Sequence, residues 1–424
     1  MNNPLGRNRP HLALLIHTLA GGGLERVMTN LASEFCARGL QVDLLVGRAQ
    51  GQMNHLAPAT VRVVTLAASP RLCAHARIVA ADPGGFGQIV PILLDPKAHW
   101  IWKCIPALVR YLRTARPDAL LSGYTPVNLA VLWARRLSGI PTRLLVSEHT
   151  TLSEQLKRTR AWYKHAYPGQ IRRTYPWADG IVAVSDGVAE DLSTQTGLAR
   201  ERIVTIHNPL DPAVATGAQA PTSHPWLTPG SAPVVMSAGR LVDQKDFPTL
   251  LRAFARVREV RTVRLLILGE GKQRAALQAL AARLGISADM ELPGWRTNPH
   301  AYLARAAVFV LSSTWEGFGS ILLEAMACGC PVVSTDCPHG PAEILERGRY
   351  GPLVPVGDDA ALAHAILASL DAPPDAGRLR ARAAEFSIGQ VADRYLALLL
   401  GTADDLTHDG ASDRPQATAP RRNR

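Results

Sequence analysis

Nowhere in these 424 residues does an apolar run approach the roughly 20 residues needed to cross a bilayer. The start of the chain is polar and basic. Leu12–Leu19 is apolar but short, interrupted by His17 and followed by Gly21-Gly22-Gly23. This reads as a buried strand and a glycine turn rather than a signal peptide, so a cytoplasmic protein is expected. Cysteine is scarce: six thiols are scattered over the length, and Cys328-Gly329-Cys330 is neither C-x-x-C nor near a His cluster. Reduced, unpaired thiols are expected, and a zinc site is not. No G-x-G-x-x-G follows the first apolar run, and no acidic residue stands where a ribose would need one, which disfavours a nicotinamide dehydrogenase. Acids are also in deficit: 35 against 46 bases gives a formal charge of +11. That excess implies an acidic partner: nucleic acid, anionic lipid or a phosphorylated substrate.

What is present is alternation. Leu12–Thr18 reads as a strand and Leu24–Arg38 as a helix, with Leu24, Val27, Met28, Leu31, Ala32 and Phe35 at helical spacing and Gly39 as its stop. Strands are expected at 41–46, 61–66, 119–122, 142–147 and 180–185, and helices at 105–116 and 128–138. Ala213–Pro233 has linker composition. Beyond it the alternation resumes: strands at 234–238, 264–269, 290–292, 308–312 and 332–334, with helices at 249–257, 272–284, 300–305 and 319–327. Such alternation predicts α/β structure with parallel, doubly wound sheets, whose ligands bind at the carboxyl ends of the strands. Arg71–Lys97, with prolines flanking glycines, reads as an irregular insertion facing the acceptor. Residues after about Thr402 are too polar to offset the cost of ordering.

The most informative stretch is Glu316-Gly317-Phe318-Gly319-Ser320-Ile321-Leu322-Leu323-Glu324. A helix begun near Phe318 leaves Glu316 in the preceding loop and carries Glu324 about two turns in. The free N–H groups of Phe318, Gly319 and Ser320 would attract anions, while the two carboxylates suit sugar hydroxyls. A site offering both suits a nucleotide sugar. Gly239-Arg240-Leu241-Val242-Asp243-Gln244-Lys245 follows another strand and offers two cations to a diphosphate.

These segments resemble the E-x7-E and G-R-x4-K motifs of GT-B glycosyltransferases, specifically the large retaining family four. The resemblance runs from about Leu12 to about Leu400. It implies two Rossmann-like domains facing each other across a cleft. Residues 1–210 would bind the acceptor, 211–232 would link the domains, and 233–385 would bind the nucleotide sugar. Residues 386–401 would form a helix crossing back to the first domain, with 402–424 a tail. It also implies a hexose or N-acetylhexosamine donor, UDP-linked by first choice, and an acceptor in bacterial surface-glycan or lipid-linked oligosaccharide synthesis.

By the same resemblance, Glu316, His149, Arg240 and Lys245 carry the catalysis. The donor would be held by Gly21, Gly22 and Gly23, by Arg240 and Lys245, by Gly294 and Trp295, by Glu316, Gly317, Phe318, Gly319 and Ser320, and by Glu324. The nucleotide sugar is a substrate, so no cofactor is expected. With two cations and helix N-termini on the diphosphate, no metal is expected either. Arg26 is a second-rank phosphate or acceptor contact. Glu148 would orient His149 or bind acceptor, Ser185 would cap a helix or reach the site, and Asn208 would bind donor or shape a turn. Asp336–Glu343 resembles a version of this region in transferases for hexosamines and galactose.

Between Gln155 and Ala178 stand six bases and no acid, interleaved with Trp162, Tyr163, Tyr167, Tyr175 and Trp177. Interfacial segments have this mix, so an anionic membrane surface is an expected partner and a nucleic acid is not. Two rival readings stand beside the main one: an epimerase or hydrolase of nucleotide sugars on the same fold, and a non-enzymatic polyanion binder.

Overall fold

The computed structural model describes residues 9–19, 22–48, 60–94 and 100–402. Gly21 and the expected tail beyond 402 lie outside them. Two wholly parallel sheets form the frame. The first runs β3-β2-β1-β4-β5-β6-β7, with β1 His11–Thr18, β2 Gln41–Arg48, β3 Arg62–Thr65, β4 Ala119–Gly123, β5 Arg143–Glu148, β6 Gly180–Ala183 and β7 Ile203–Thr205. The second runs β10-β9-β8-β11-β12-β13, with β8 Val234–Ala238, β9 Arg264–Leu268, β10 Met290–Gly294, β11 Val308–Leu311, β12 Val332–Thr335 and β13 Leu353–Val354. Both sheets are doubly wound. Their strands read as near-continuous apolar runs because helices cover both faces.

The first helix, Gly23–Ala37, buries Val27, Met28, Leu31, Ala32 and Phe35 against β1 and β2, and Gly39 ends it at φ +83°. This stripe packs with Val391, Ala392, Tyr395, Leu398 and Leu399 of the last helix, Ile388–Leu400. The chain therefore passes from the first sheet to the second and returns. Arg143 Nε donates to Leu398 O at 2.7 Å and Arg394 Nη2 to Thr205 O at 2.7 Å, fixing the returning helix to β5 and β7.

Two expectations need correction. Arg71–Lys97 is not irregular over its described residues: helices cover Arg71–Ala81 and Phe86–Leu94, joined by a tight turn at Pro83–Gly85. Pro91 sits inside the second helix, where it costs one backbone hydrogen bond. Arg71 Nη2 donates to Leu93 O at 2.6 Å, and buried Asp82 pairs with Arg173 at 2.6 Å, so tertiary contacts override the breakers. The segment of linker composition also contains a helix, Ala213–Gln219, with Val214 in the core. It rests on the helices His300–Leu303 and Ser320–Ala327.

Candidate functional site

The carboxyl ends of β5, β6, β8 and β11 face one cleft, and the loops that leave them carry the candidate side chains. After β11 the chain runs through Ser312 and Ser313 to Glu316, then turns into the helix Ser320–Ala327 at Gly319, whose φ is +90°. An L-residue there would be strained. At Gly317 the two sheets' loops touch: a Cβ on Gly317 would lie 2.1 Å from the carbonyl oxygen of His149. Thr151 Oγ1 donates to Glu316 O at 3.1 Å and Ser185 Oγ to Gly317 O at 2.8 Å, so both hydroxyls of the first half grip the loop of the second. Ser185 Oγ also accepts from Val188 N at 3.1 Å, so it caps its own helix as well. The N–H groups of Phe318, Gly319 and Ser320 have no hydrogen-bond acceptor among the described residues.

Glu316 is buried. Its Oε1 accepts from Lys245 Nζ at 2.5 Å and from Ser313 Oγ at 2.6 Å, while Oε2 has no such bond among the described residues. Oε2 is the oxygen left for a hydroxyl. Lys245 ends a short turn, Asp243–Lys245, that follows β8, and its stem crosses Gly239. Arg240 is exposed and contributes positive potential to Glu25 at the start of the helix Gly23–Ala37. Glu25 folds back over Gly22, where a Cβ would meet its Oε2 at 2.3 Å. Burial raises the Glu25 carboxyl, while the N–H groups of Glu25 and Gly22 and the charge on Arg240 pull it back. The helix N-terminus beside the glycine loop therefore carries a carboxyl group. Gly23 is the first helical residue and Gly22 its cap.

His149 leaves β5. Its Nε2 lies 3.0 Å from Ser147 Oγ, while its Nδ1 and Asn208 Oδ1 are buried without a hydrogen-bond partner among the described residues. Burial pushes the imidazole down to about 4, against the opposing effect of Asn208. The ring is thus neutral near pH 7 and can share hydrogen bonds beside a developing positive sugar without adding like charge. Glu148 does not orient it. Its carboxyl turns into the first domain, where Thr125 Oγ1 donates from 3.0 Å, Asn128 Nδ2 from 3.1 Å, and Tyr175 OH also donates. Burial raises Glu148 to about 7, the three donors opposing it. It is a core carboxyl, and an acceptor contact is ruled out by its place.

Glu324 is buried about one turn into its helix, with Oε2 2.9 Å from His300 Nε2 and Oε1 3.7 Å from Arg26 Nη1. Arg26 Nη1 also reaches Asp211 at 3.3 Å. Ligand atoms of Asp211, His300 and Glu324 lie within 4.8 Å of one another, and the guanidinium of Arg26 supplies positive charge to this group. Arg26 thus contacts the carboxylates of Asp211 and Glu324. Gly294 ends β10 at φ +86°, followed by Trp295, which is 48% exposed and presents an open ring. Glu343 accepts from the N–H groups of Asp186 and Gly187 at 2.9 and 3.0 Å and meets His207 Nε2 at 2.9 Å. Burial opposes ionisation of Glu343, but His207 and these N–H groups prevail and hold its carboxyl low. His207 stacks on Phe318 with ring centroids 5.1 Å apart.

The chain matches two family models: one described as Glycosyltransferase Family 4 over residues 21–214, the other as Glycosyl transferases group 1 over residues 232–372. It is 30% identical over 278 residues to an N-acetylgalactosaminyltransferase of Campylobacter jejuni that acts on N-acetylgalactosamine-N,N'-diacetylbacillosaminyl-diphospho-undecaprenol. That match covers 65% of this chain and 74% of the relative. The chain belongs to glycosyltransferase family 4. Over 227 residues it is 38% identical to the lipopolysaccharide core biosynthesis glycosyltransferase LpsE of Rhizobium meliloti, covering 52% of this chain and 64% of that one. Among solved structures, a glycosyltransferase from Rickettsia africae superposes with a TM-score of 0.74 at 13% identity, over 94% of this chain and 100% of its own. HepE of Anabaena in complex with UDP gives 0.70 at 19% identity, over 92% and 100%. The fold is GT-B.

In this family 4 chain, the basic stretch 155–178 differs from its expected picture. Lys157 and Arg158 pair with Glu154 at 2.8 and 3.2 Å, and Arg173 pairs with Asp82. Tyr167 and Tyr175 lie in the core and Trp177 packs against it. The acids that neutralise these bases stand just before the counted window or far from it in sequence, so composition alone overstated the free charge. Sequence reasoning also missed the partners Ser313, Thr151 and His300. Ser and Thr near a loop carry no periodic signal, and His300 becomes informative only once its helix is laid beside Glu324.

Proposed function

We propose that this chain is a retaining transferase moving a hexose or N-acetylhexosamine from a UDP-sugar to an acceptor hydroxyl in surface-glycan synthesis. The observation that carries the reading is Lys245 and Ser313 converging on one oxygen of buried Glu316, at the mouth of a cleft faced by neutral His149. Lys245 and Arg240 are assigned to the diphosphate, where fixed cations lower the barrier to departure of the leaving group. Oε2 of Glu316 is assigned to the sugar, and the N–H groups of residues 318–320 to the diphosphate. The departing diphosphate takes the proton from an acceptor hydroxyl attacking the same face, so no strong enzymatic base is needed. With positive charge supplied by side chains and N–H groups, the reaction is assigned no metal. The relatives named for lipopolysaccharide core and lipid-linked glycan synthesis support the acceptor class, and the UDP complex of HepE supports the nucleotide.

Thermal-shift titration with UDP, GDP, ADP and TDP tests it. Selective stabilisation by UDP, lost in Arg240→Ala/Lys245→Ala, is the expected result. Stabilisation by none of them overturns the donor assignment. Consumption of UDP-sugar without any acceptor would favour the epimerase or hydrolase alternative.

No helix among the described residues is long and apolar enough to cross a membrane. A peripheral contact is proposed instead. Leu72, Phe86, Leu94 and Trp162 are 82, 52, 65 and 54% exposed, on elements that pack against one another beside the exposed bases Arg160 and Arg172. Apolar side chains among bases suit an anionic interface. Leu72→Ser/Phe86→Ser should cut sedimentation with anionic liposomes at least several-fold, and unchanged sedimentation would remove the membrane from the reading.

A further inference from the structure

A cleft of about 470 Å³ opens between the two halves, and Thr150, Gln244, Trp315 and Gly317 are part of its wall. These are chain neighbours of His149, Lys245 and Glu316, so the cleft adjoins the proposed reaction centre. The rest of its wall comes from residues 151–164 and brings Glu154, Arg158, Arg160 and Lys164. Glu154 is already neutralised by Lys157 and Arg158. Arg158 is held in place on both sides, its Nε 3.2 Å from Glu154 and its guanidinium carbon 3.8 Å from the centre of the Trp315 ring. Arg160 and Lys164 differ: among the described residues neither meets a carboxylate within ion-pair distance. Lys164 is only partly exposed, and burial lowers its ammonium without any acid to offset it. A desolvated cation without a counter-charge is costly, and a bound anion relieves that cost. A neutral sugar would leave it unrelieved.

We propose that this cleft is an acceptor subsite that selects an anionic acceptor, with Arg160 and Lys164 binding a phosphate or carboxylate carried beside the attacking hydroxyl. The inference rests on the reading of Glu316, Lys245 and His149 as the transfer centre. Arg158, locked between Glu154 and Trp315, spans the two halves and fixes the wall against which the acceptor sits. Its exposed position and fixed geometry make it a positioning residue rather than a ligand.

The test uses the full chain saturated with UDP, which fills the diphosphate site, and calorimetric titration with four sugars: glucose 6-phosphate, glucuronate, glucose and methyl glucuronate. The two anionic sugars are expected to bind at least tenfold tighter than the two neutral ones. In Arg160→Met/Lys164→Met that preference should vanish while UDP affinity stays unchanged, which also reports an intact fold; Arg160→Met alone, at an exposed position, should reduce it. Equal affinity for charged and neutral sugars, or a preference that survives the double variant, overturns the subsite. A prenyl diphosphate that binds tighter than either sugar anion, and loses that affinity in the double variant, supports the subsite and assigns the anion to a lipid carrier. Failure of UDP to bind counts against the donor reading instead. The four titrations are then run on Arg240→Ala/Lys245→Ala, which lacks the other cationic site, and the same comparison decides the subsite.

Discussion

Lys245 Nζ lies 2.5 Å from Glu316 Oε1. The cation assigned to the diphosphate and the carboxylate assigned to the sugar hold each other before a donor arrives. Donor entry therefore shares or exchanges a partner rather than creating charge contacts from nothing, and the pair keeps both side chains aimed at the cleft. Removing one member strands a buried charge. Lys245→Ala should lower kcat by about 10²- to 10³-fold, comparable to the loss of one transition-state donor. Lys245→Arg should recover only part of this, because a planar fork cannot replace a point charge in the same space. Initial rates at saturating donor decide the matter, and an unaltered kcat in Lys245→Ala would remove the lysine from the transition state.

Gly317 has no room for a side chain, since a Cβ would stand 2.1 Å from His149 O. Backbone sits on both sides of that contact, so it cannot yield as a flexible side chain could. Gly317→Ala should hold the two halves apart and misplace Glu316 relative to His149. A displacement near 1 Å is enough to cost about 100-fold in turnover. Small-angle scattering should record a larger radius of gyration for the variant, with thermal stability little changed. A variant with wild-type turnover would mean that the halves do not close on this contact.

His149, lowered by burial to about 4, should stay neutral through the working range of the enzyme. The kcat/KM profile between pH 5 and 8 should then contain no acidic limb belonging to this residue, and His149→Asn should lower the whole profile without changing its shape. An inflection near 6.5 that disappears in His149→Asn would contradict the burial argument.

Glu148 provides a stability test with the opposite sign. Burial raises its folded-state value to about 7, so the native protein holds a proton that the unfolded chain releases near the ordinary carboxyl value of about 4.5. The contribution is fully present below about 4.5 and lost as pH rises through about 7. Glu148→Gln keeps the shape and removes the titration. The melting temperature of the wild type, taken relative to Glu148→Gln, should therefore fall between pH 5 and pH 8. A difference that is flat with pH would show that Glu148 is ionised in the folded protein throughout.

Periodicity revealed the α/β alternation because strands covered on both faces are apolar runs and helices bury one stripe, as Val27, Met28, Leu31 and Phe35 do. Glu316, Arg240 and Lys245 were recognisable because each belongs to a motif with fixed spacing. The role of Glu148 was misread from its position beside His149: successive side chains on a strand point to opposite faces, so adjacency in sequence placed it in the core instead. The helices at Arg71–Ala81 and Phe86–Leu94 were hidden by Pro83, Gly84, Gly85 and Pro91, which are breakers only in the absence of the Asp82–Arg173 and Arg71–Leu93 contacts. Strands β7 and β13 are three and two residues long, too short to show a period.

The returning helix Ile388–Leu400 bears on how the protein is made. Val391, Tyr395 and Leu399 cover the same apolar surface as Leu12 of β1 and Leu121 of β4, residues separated from them by most of the chain. During synthesis the first sheet leaves the ribosome with that surface wet, and it stays so until the second sheet and its helices have followed. Completion of the first half thus depends on a helix translated only after the whole second sheet. A ribosome stalled anywhere before Ile388 would leave a chain whose earliest strands still expose apolar surface to any partner that reaches them first.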